Sequence, residues 1–207
     1  MSQPSSPRVN RRQFLQHSLA AAAAPMILPG SVLGLNGAVA PSNRIVFGCI
    51  GIGNRARHVM PSFLAQTDIQ FAAVSDCRED RLKSAKELMD THYGNKDCRM
   101  YPDFRELLAQ KDIDAVFIAT GDRWHTTASI HAARAGKDIY SEKPISMTIS
   151  EGRSLVEACR RYGTIYQAGT QRRSTASYRF AVEMVRQGKI GRVHTVEIQV
   201  WTGPTVP

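Results

Sequence analysis

The sequence predicts an α/β fold built on a doubly wound parallel sheet, and three observations lead to this prediction. From Arg44 onward, short apolar runs with β-branched residues alternate with stretches of helical periodicity. Runs such as Ala115–Ala119 are apolar throughout, which is typical of strands buried on both faces. The spacing between the runs leaves room for a crossover helix between parallel strands. Hydrophobic residues make up 43% of the 207 residues, which suffices for a packed core.

Each apolar run predicts a strand and each periodic stretch a helix. The predicted strands are Ile45–Ile50, Ile69–Ser75, Met100–Tyr101, Ala115–Ala119, Asp138–Ser141 and Ile165–Ala168. The predicted helices are Arg55–Ala65, Arg78–His92, Phe104–Leu108, His125–Ala135, Glu151–Arg161 and Tyr178–Gln187. Asp103 and Ser150 are the expected N-caps, and Gly136 is expected to end the fourth helix. Arg192–Trp201 alternates with period two, which predicts the first strand of a second, more open α+β sheet.

The first 43 residues have a different composition. Arg11 and Arg12 precede a Gln-Phe-Leu sequence and a weakly apolar, Ala-rich stretch, and this order resembles a bacterial twin-arginine export signal. We therefore expect residues 1–43 to be a signal peptide and linker, and the protein to be periplasmic or otherwise exported, with the export machinery as a partner. A disordered basic N-terminus is the alternative. The cleavage point stays open, because the small-residue patterns at 22–24 and 38–40 are each followed by a proline.

Charge and cysteine spacing exclude several classes of function. Four arginines and no acid lie in residues 1–44, so the remainder carries +5 of the net charge of +9, with its basic residues mixed among acids. No basic stripe with interleaved aromatics stands out, so we expect no nucleic-acid partner. No apolar run is long enough to span a bilayer. The cysteines show neither a metal-ligand spacing nor a spacing that argues for disulfides, and no metal is expected: Cys49, Cys77, Cys98 and Cys159.

A glycine-rich turn between the first strand and the first helix predicts a dinucleotide site. Gly51 to Ala56 has the pattern G-x-G-x-x-A. Gly51 permits the tight turn, Gly53 lets the backbone approach a pyrophosphate, and Ala56 lets helix and strand pack closely. Asn54 and Arg55 begin the helix, whose N-terminal N–H groups are a ready anion site.

Asp76 directly follows the second strand, which is the position of an acid that accepts hydrogen bonds from the adenosine ribose hydroxyls. A carboxylate there repels a 2′-phosphate, so we expect NAD as the cofactor. The nearby Arg78 keeps NADP as the less favoured alternative cofactor. For Asp76 itself, the alternative role is to cap the following helix.

Four further motifs carry a resemblance to a known family. They are Thr120 with Trp124-His125, A-G-K-D at 135–138, E-K-P at 142–144 and A-G-T-Q-x-R at 168–173. With the glycine turn, they resemble the Gfo/Idh/MocA oxidoreductases, most of all the exported bacterial branch with twin-arginine signals. The resemblance runs from Arg44 to Pro207. It implies an NAD(P)-binding Rossmann domain over residues 44–188, followed at 189–207 by the start of a truncated C-terminal α+β domain.

The resemblance also implies roles for individual residues. Lys143 of E-K-P is the expected catalytic residue, which reaches the nicotinamide ribose and the reacting hydroxyl. The other residues expected at the cofactor are Ala119, Thr120, His125, Glu142 and Gln171. His125 and Arg173 are expected near the substrate, with a purely structural role as the alternative for His125. At position 172 this branch usually has a glutamine, whereas this chain has an arginine, so the resemblance implies no role for Arg172.

The function implied is hydride transfer between a nicotinamide cofactor and a sugar, polyol or related secondary alcohol. An NAD-dependent glycoside hydrolase of the same superfamily, in which oxidation and elimination leave the cofactor restored, is an alternative. A cofactor-binding module without activity is another, because family members continue well past residue 207 and supply a further His there. We expect the sequence to be part of a longer gene product or a truncated form, and the full-length form to be a homo-oligomer.

Overall fold

The computed structural model describes residue 35 and residues 39–199. The chain divides into two units, Met1–Arg44 and Ile45–Pro207. In the first unit, Pro41–Asn43 form a short 3-10 turn. The predicted export signal around Arg11 and Arg12 lies outside the described residues. None of the described helices is long and apolar enough to cross a bilayer.

Six parallel strands form one sheet in the second unit. They are Ile45–Ile50 (β1), Ile69–Ser75 (β2), Arg99–Tyr101 (β3), Ala115–Ile118 (β4), Asp138–Glu142 (β5) and Tyr166–Gly169 (β6). The spatial order is β3-β2-β1-β4-β5-β6, and every neighbouring pair is parallel. This order reverses direction between β1 and β4, as in a Rossmann sheet. The predicted doubly wound parallel fold is therefore confirmed.

The register aligns the carboxyl ends of the central strands. Ile50 of β1 pairs with Ser75 of β2 and with Ile118 of β4, and Ile118 pairs with Ser141 of β5. The residues that follow these four positions are Gly51, Asp76, Ala119 and Glu142. Four separate motifs of the sequence are thus brought to one edge of the sheet.

Helices follow the strands in the predicted order. They are Asn54–Leu64 (α1), Glu79–Tyr93 (α2), Phe104–Leu108 (α3), Asp122–Arg134 (α4), Ile149–Tyr162 (α5) and Ala176–Arg186 (α6). Each lies within a few residues of its predicted bounds. A second 3-10 turn, Gln171–Arg173, precedes α6. Asp103 caps α3 as predicted, since its side chain accepts a hydrogen bond from the Arg105 N–H.

Two apolar clusters hold the helices to the sheet. In one, residues of α1 and α2 pack on the β1, β2 and β4 side chains, with Phe63 in ring contact with both Phe117 and Tyr140 at centroid distances of 5.0 and 5.1 Å. In the other, small residues of α4, including Ala128 and Ala132, pack on β4 and β5. Both faces of the sheet are therefore covered, which accounts for strands that are apolar throughout.

The predicted cap of α5 is wrong. The N-cap is Thr148, whose hydroxyl accepts from the Glu151 N–H at 3.2 Å, while the Glu151 carboxylate accepts from the Thr148 N–H at 3.1 Å. Ser150 lies inside the first turn and is exposed. This reciprocal capping box satisfies two N–H groups at once, whereas a single serine cap satisfies one.

The predicted strand Arg192–Trp201 is not formed over residues 192–199, which have no regular secondary structure and are exposed. A strand requires a neighbour to accept its backbone hydrogen bonds. The described residues offer it none. Val200 and Trp201 lie outside the described residues.

Candidate cofactor-binding site

A cleft of about 770 Å³ opens at the carboxyl ends of β1, β2 and β4. This is the point where the strand order reverses and where ligands of doubly wound sheets bind. The site residues predicted from the sequence that line the cleft are Gly51, Gly53, Asn54, Arg55, Asp76, Ala119 and Thr120.

The two glycines of the turn differ in what surrounds them. Gly51 has φ of +88°, and a Cβ placed there would lie 2.7 Å from the Thr120 nitrogen. Gly53 has an ordinary φ of −78°, and the nearest atom to its Cβ position is Arg81 Nη1 at 3.9 Å. Gly51 is therefore required by the fold, whereas Gly53 leaves open space in the cleft.

The N-terminus of α1 faces this open space without a side-chain cap. α2, α4 and α6 also begin without a side-chain cap, whereas α3 and α5 are capped by Asp103 and Thr148. The first N–H groups of a helix have no partner within it, so those of α1 stay free for an anion. The open Gly53 position beside an uncapped helix end fits the pyrophosphate of a dinucleotide.

Asp76 is buried and holds the glycine turn in place. Its Oδ2 accepts the Ile52 N–H at 2.7 Å and its Oδ1 accepts the Arg78 N–H at 2.9 Å. The Cys77 thiol also donates to Oδ1, at 3.8 Å. A carboxylate has about four acceptor positions, so one remains for a ribose hydroxyl. The N-cap of α2 is Arg78, and Asp76 does not occupy the capping position.

Arg81, which the sequence prediction missed, is the cation that faces Asp76. Its Nη1 lies 3.7 Å from Asp76 Oδ2, and the residue lines the cleft. Arg78 instead pairs with Asp80 at the surface, where the Asp80 hydrogen bond raises the pKa of the guanidinium. The position of Arg81 in the first turn of a helix that follows the acid is the signal that would have indicated it.

Several other cleft residues were also missed. They are Ser75, Cys77, Trp124, Thr127, His131 and the segment Pro102–Arg105. In that segment the Arg105 side chain and N–H hydrogen bonds lower the pKa of Asp103 to about 2. Ser75 and Cys77 flank the predicted Asp76, and Trp124 belongs to a motif already named, whereas only the folded chain brings His131, Thr127 and Pro102–Arg105 to the glycine turn.

Ala56 and Ala119 have packing positions. Ala56 is fully buried in the cluster that joins α1 to the sheet. The Ala119 N–H donates to the Ile50 oxygen at 2.9 Å and so keeps β1 and β4 together at the rim of the cleft. Small side chains at both positions let the backbone elements approach each other closely.

Glu142 is buried at the end of β5 and has two partners. Its Oε2 lies 3.0 Å from the Arg55 Nε, although that N–H is not aligned for a hydrogen bond. Its Oε1 accepts a hydrogen bond from Gln171, whose amide also donates to the Tyr140 hydroxyl at 3.1 Å. Burial raises the pKa of Tyr140, so the phenol stays protonated. This network ties α1, β5 and the turn after β6 together.

Lys143 and His125, both predicted at the cofactor, differ in solvent exposure. Lys143 is exposed, and within residues 39–199 no hydrogen bond or ion pair engages its ammonium group. His125 is only 1% exposed, and its two ring nitrogens face the Pro144 and Thr120 carbonyl oxygens. The structure therefore offers the lysine, and not the histidine, to a ligand.

Arg173 does not line the cleft. It lies in the 3-10 turn after β6, beside Arg179 and Glu183 of α6 in a separate surface groove. Arg172, the residue that departs from the family pattern, lies in the same groove over the Tyr178 ring. The position of Arg173 near the substrate stays a prediction.

The described residues contain no group of three or more His, Cys, Asp or Glu side chains placed to hold a metal ion. The four cysteines are free. Burial raises the pKa of Cys49 well above its usual range and that of Cys98 to about 11, so both thiols stay protonated near neutral pH. Cys77 is exposed at the cleft.

Comparison with known proteins agrees with the observed fold. A profile of the family described as "Oxidoreductase family, NAD-binding Rossmann fold" matches residues 45–170. The myo-inositol 2-dehydrogenase of Thermotoga maritima is 28% identical over 151 residues, which are 73% of this chain and 43% of that protein. A glycosyl hydrolase family 109 protein of Saccharopolyspora erythraea is 34% identical over 114 residues, which are 53% of this chain and 25% of that protein.

Among solved structures, the scyllo-inositol dehydrogenase from Lactobacillus casei with bound NAD(H) and scyllo-inositol superposes with a TM-score of 0.63 at 28% identity. The superposition covers 72% of this chain and 42% of that one. The chain thus spans less than half the length of the relatives that it matches.

Proposed function

This chain belongs to the Gfo/Idh/MocA oxidoreductase family, which has an NAD-binding Rossmann fold, and on that premise we propose that the protein is a nicotinamide-dependent oxidoreductase. The proposed substrate is a sugar, polyol or related secondary alcohol. Relatives that are inositol dehydrogenases support this substrate class.

One observation carries the cofactor half of the proposal. The uncapped N-terminus of α1, the open position at Gly53 and the buried Asp76 carboxylate lie together along one cleft. A pyrophosphate requires the first two, and a ribose with free hydroxyls requires the third. Asp76 favours NAD, and Arg81 is the cation that would meet the 2′-phosphate of NADP.

Lys143 carries the chemical half. When bound, the nicotinamide accepts or donates the hydride. The ammonium group of Lys143 is exposed at the carboxyl edge of β5 and free of partners among the described residues, so it can hydrogen-bond a substrate hydroxyl and help to move its proton. Glu142 beside it stays with Arg55 and Gln171 and keeps the end of β5 in place.

The test is Lys143→Ala in the full-length protein. We expect turnover with a panel of sugars and polyols to fall about a hundredfold or more, since positioned acid–base groups contribute that much. NAD affinity, measured by calorimetry, should change little. The matched control is Lys111→Ala, which removes an exposed lysine remote from the site. Full activity of the Lys143 variant would overturn the catalytic assignment.

A redox-neutral glycoside hydrolase is the second candidate, and the family 109 relative favours it. Both candidates use the same cofactor site and the same lysine, so the products distinguish them. Net formation of NADH from a free sugar supports the dehydrogenase. Release of an aglycone at constant NADH supports the hydrolase. NAD binding without either reaction would support the third alternative, a cofactor-binding module without activity.

Export through the twin-arginine route is proposed on the order Arg11-Arg12, Phe14-Leu15 and an Ala-rich stretch. That route carries folded proteins, so a cofactor loaded in the cytoplasm would leave inside the protein. Replacement of both arginines by lysine should then keep the protein in the cytoplasm, and unchanged export would contradict the proposal. The homo-oligomeric state stays a prediction.

A further inference from the structure

The loop that carries Lys143 is attached to α4 by two side chains. Residues 143–148 join β5 to α5 without regular secondary structure. The Thr126 hydroxyl donates to the Ile145 oxygen at 2.9 Å, and His125 Nδ1 lies 2.7 Å from the Pro144 oxygen. The two carbonyl oxygens that follow Lys143 are therefore both held from the first turns of α4.

His125 also reaches the cleft loop. Its Nε2 lies 3.2 Å from the Thr120 oxygen, and Thr120 contacts the position that a Cβ of Gly51 would occupy. A neutral imidazole donates through one nitrogen only. The shorter contact assigns that N–H to Nδ1 and the Pro144 oxygen. With that assignment the Nε2 lone pair faces the Thr120 oxygen without a hydrogen bond, so His125 holds the Pro144 oxygen and only packs against the turn that borders the glycine motif.

Burial excludes a direct contact of these two side chains with a ligand. His125 is 1% exposed and Thr126 is 5% exposed. Both lie beneath the loop, while Lys143 is exposed above it. The Pro144 and Ile145 contacts are part-buried, so a carbonyl oxygen that loses its donor loses a hydrogen bond that holds the loop, and removal of either donor favours movement of the loop.

We propose that His125 and Thr126 are positioning residues that hold the Lys143 loop in register with the cofactor cleft. We call the two contacts, His125 with the Pro144 oxygen and Thr126 with the Ile145 oxygen, the clamp. Its role in catalysis rests on the proposed function, whereas the existence of the two contacts does not. The clamp acts on the backbone of Pro144 and Ile145, and so it fixes the direction in which Lys143 leaves the sheet. In this proposal His125 positions the Lys143 loop and does not contact the substrate.

The experiment compares six variants of the full-length protein by hydrogen–deuterium exchange, two of which, Thr126→Ser and His125→Ala, are references for the substitutions at the same positions. Thr126→Val removes the hydroxyl at nearly constant volume, and His125→Asn keeps a short donor at the position of Nδ1. Thr91→Val and His58→Asn are the matched controls on exposed helical positions. The readout is exchange at the Met147 and Thr148 amides of the same loop, which donate hydrogen bonds to Glu151, with NAD affinity and the split between kcat and KM as further measurements.

We expect Thr126→Val to raise exchange in this loop about tenfold and to lower kcat by a similar factor, because a misdirected reacting group is costly. Thr126→Ser should restore both values, and His125→Asn should retain more protection than His125→Ala. The NAD affinity of the clamp variants should stay within about twofold of that of the unaltered protein, because only the loop is loosened. The control variants should stay within about twofold in exchange and kcat as well. Unchanged exchange in both Thr126→Val and His125→Ala would overturn the clamp.

The two proposals fail in different ways. If exchange rises in the clamp variants while Lys143→Ala keeps full activity, the clamp stands and the proposed function fails. If exchange does not change while Lys143→Ala abolishes turnover, the proposed function stands and the clamp fails.

Discussion

At the scale of single residues, the glycine turn separates the requirements of folding from those of binding. The two glycines belong to one motif, yet only Gly51 has a left-handed backbone and a close neighbour. Gly53 has neither. The motif therefore contains one position that the fold needs and one that a ligand needs.

The pair Gly51→Ala and Gly53→Ala tests this separation. Gly51→Ala should lower the free energy of unfolding by about 2 kcal/mol or more, from the left-handed backbone and the contact with Thr120. Gly53→Ala should unfold like the unaltered protein and bind NAD about tenfold more weakly, because its methyl group enters the cleft. Thermal unfolding and calorimetry measure the two effects. A Gly53 variant that binds NAD normally would contradict the placement of the pyrophosphate.

The sequence could predict residues whose role follows from local order. The glycine turn, Asp76 and Lys143 each follow a recognisable strand, and the aligned register brings their strands to one edge. It could not reveal that Glu142 and His125 are buried, because their partners Arg55, Gln171 and Pro144 are distant along the chain. In the structure these two side chains also contact other parts of the fold, which local order does not predict.

At the scale of elements, strand bounds were more predictable than caps. β1 and β2 have the predicted bounds, since each is an apolar run that a glycine or an aspartate ends. For α5, both Thr148 and Ser150 are residue types that favour the N-cap position. The residue three positions after Thr148 is Glu151, and this capping-box spacing is the signal that would have selected Thr148.

Thr148→Ala should therefore lower the free energy of unfolding by about 1 kcal/mol, the usual contribution of an N-cap. Ser150→Ala, on the exposed first turn of the same helix, should change it by less than about 0.5 kcal/mol. Chemical denaturation of both variants measures the difference. Equal destabilisation by the two substitutions would contradict the capping assignment.

At the scale of the whole molecule, two parts of the site lie along one edge of the sheet. The open cleft over β1, β2 and β4 suits the adenosine and pyrophosphate, and Lys143 lies beyond it at the end of β5. Arg55 and Glu142 connect the two parts. The site thus depends on tertiary structure as well as on motifs, which is why His131 and the segment Pro102–Arg105 were missed.

The cysteines provide a direct test of where the dinucleotide binds. Cys77 is exposed at the cleft beside Asp76, Cys159 lies half-buried on α5 away from the cleft, and the thiols of Cys49 and Cys98 are buried and protonated. Only the first two should react readily with an alkylating reagent. Cys159 therefore serves as an internal reference for Cys77.

The most direct measurement is the rate of Cys77 alkylation with and without saturating NAD, followed by mass spectrometry of the full-length protein. A dinucleotide across this cleft should slow alkylation of Cys77 about tenfold or more, as burial of a reactive thiol does, and leave Cys159 unchanged. An unchanged Cys77 rate at an NAD concentration that calorimetry shows to be saturating would contradict the account.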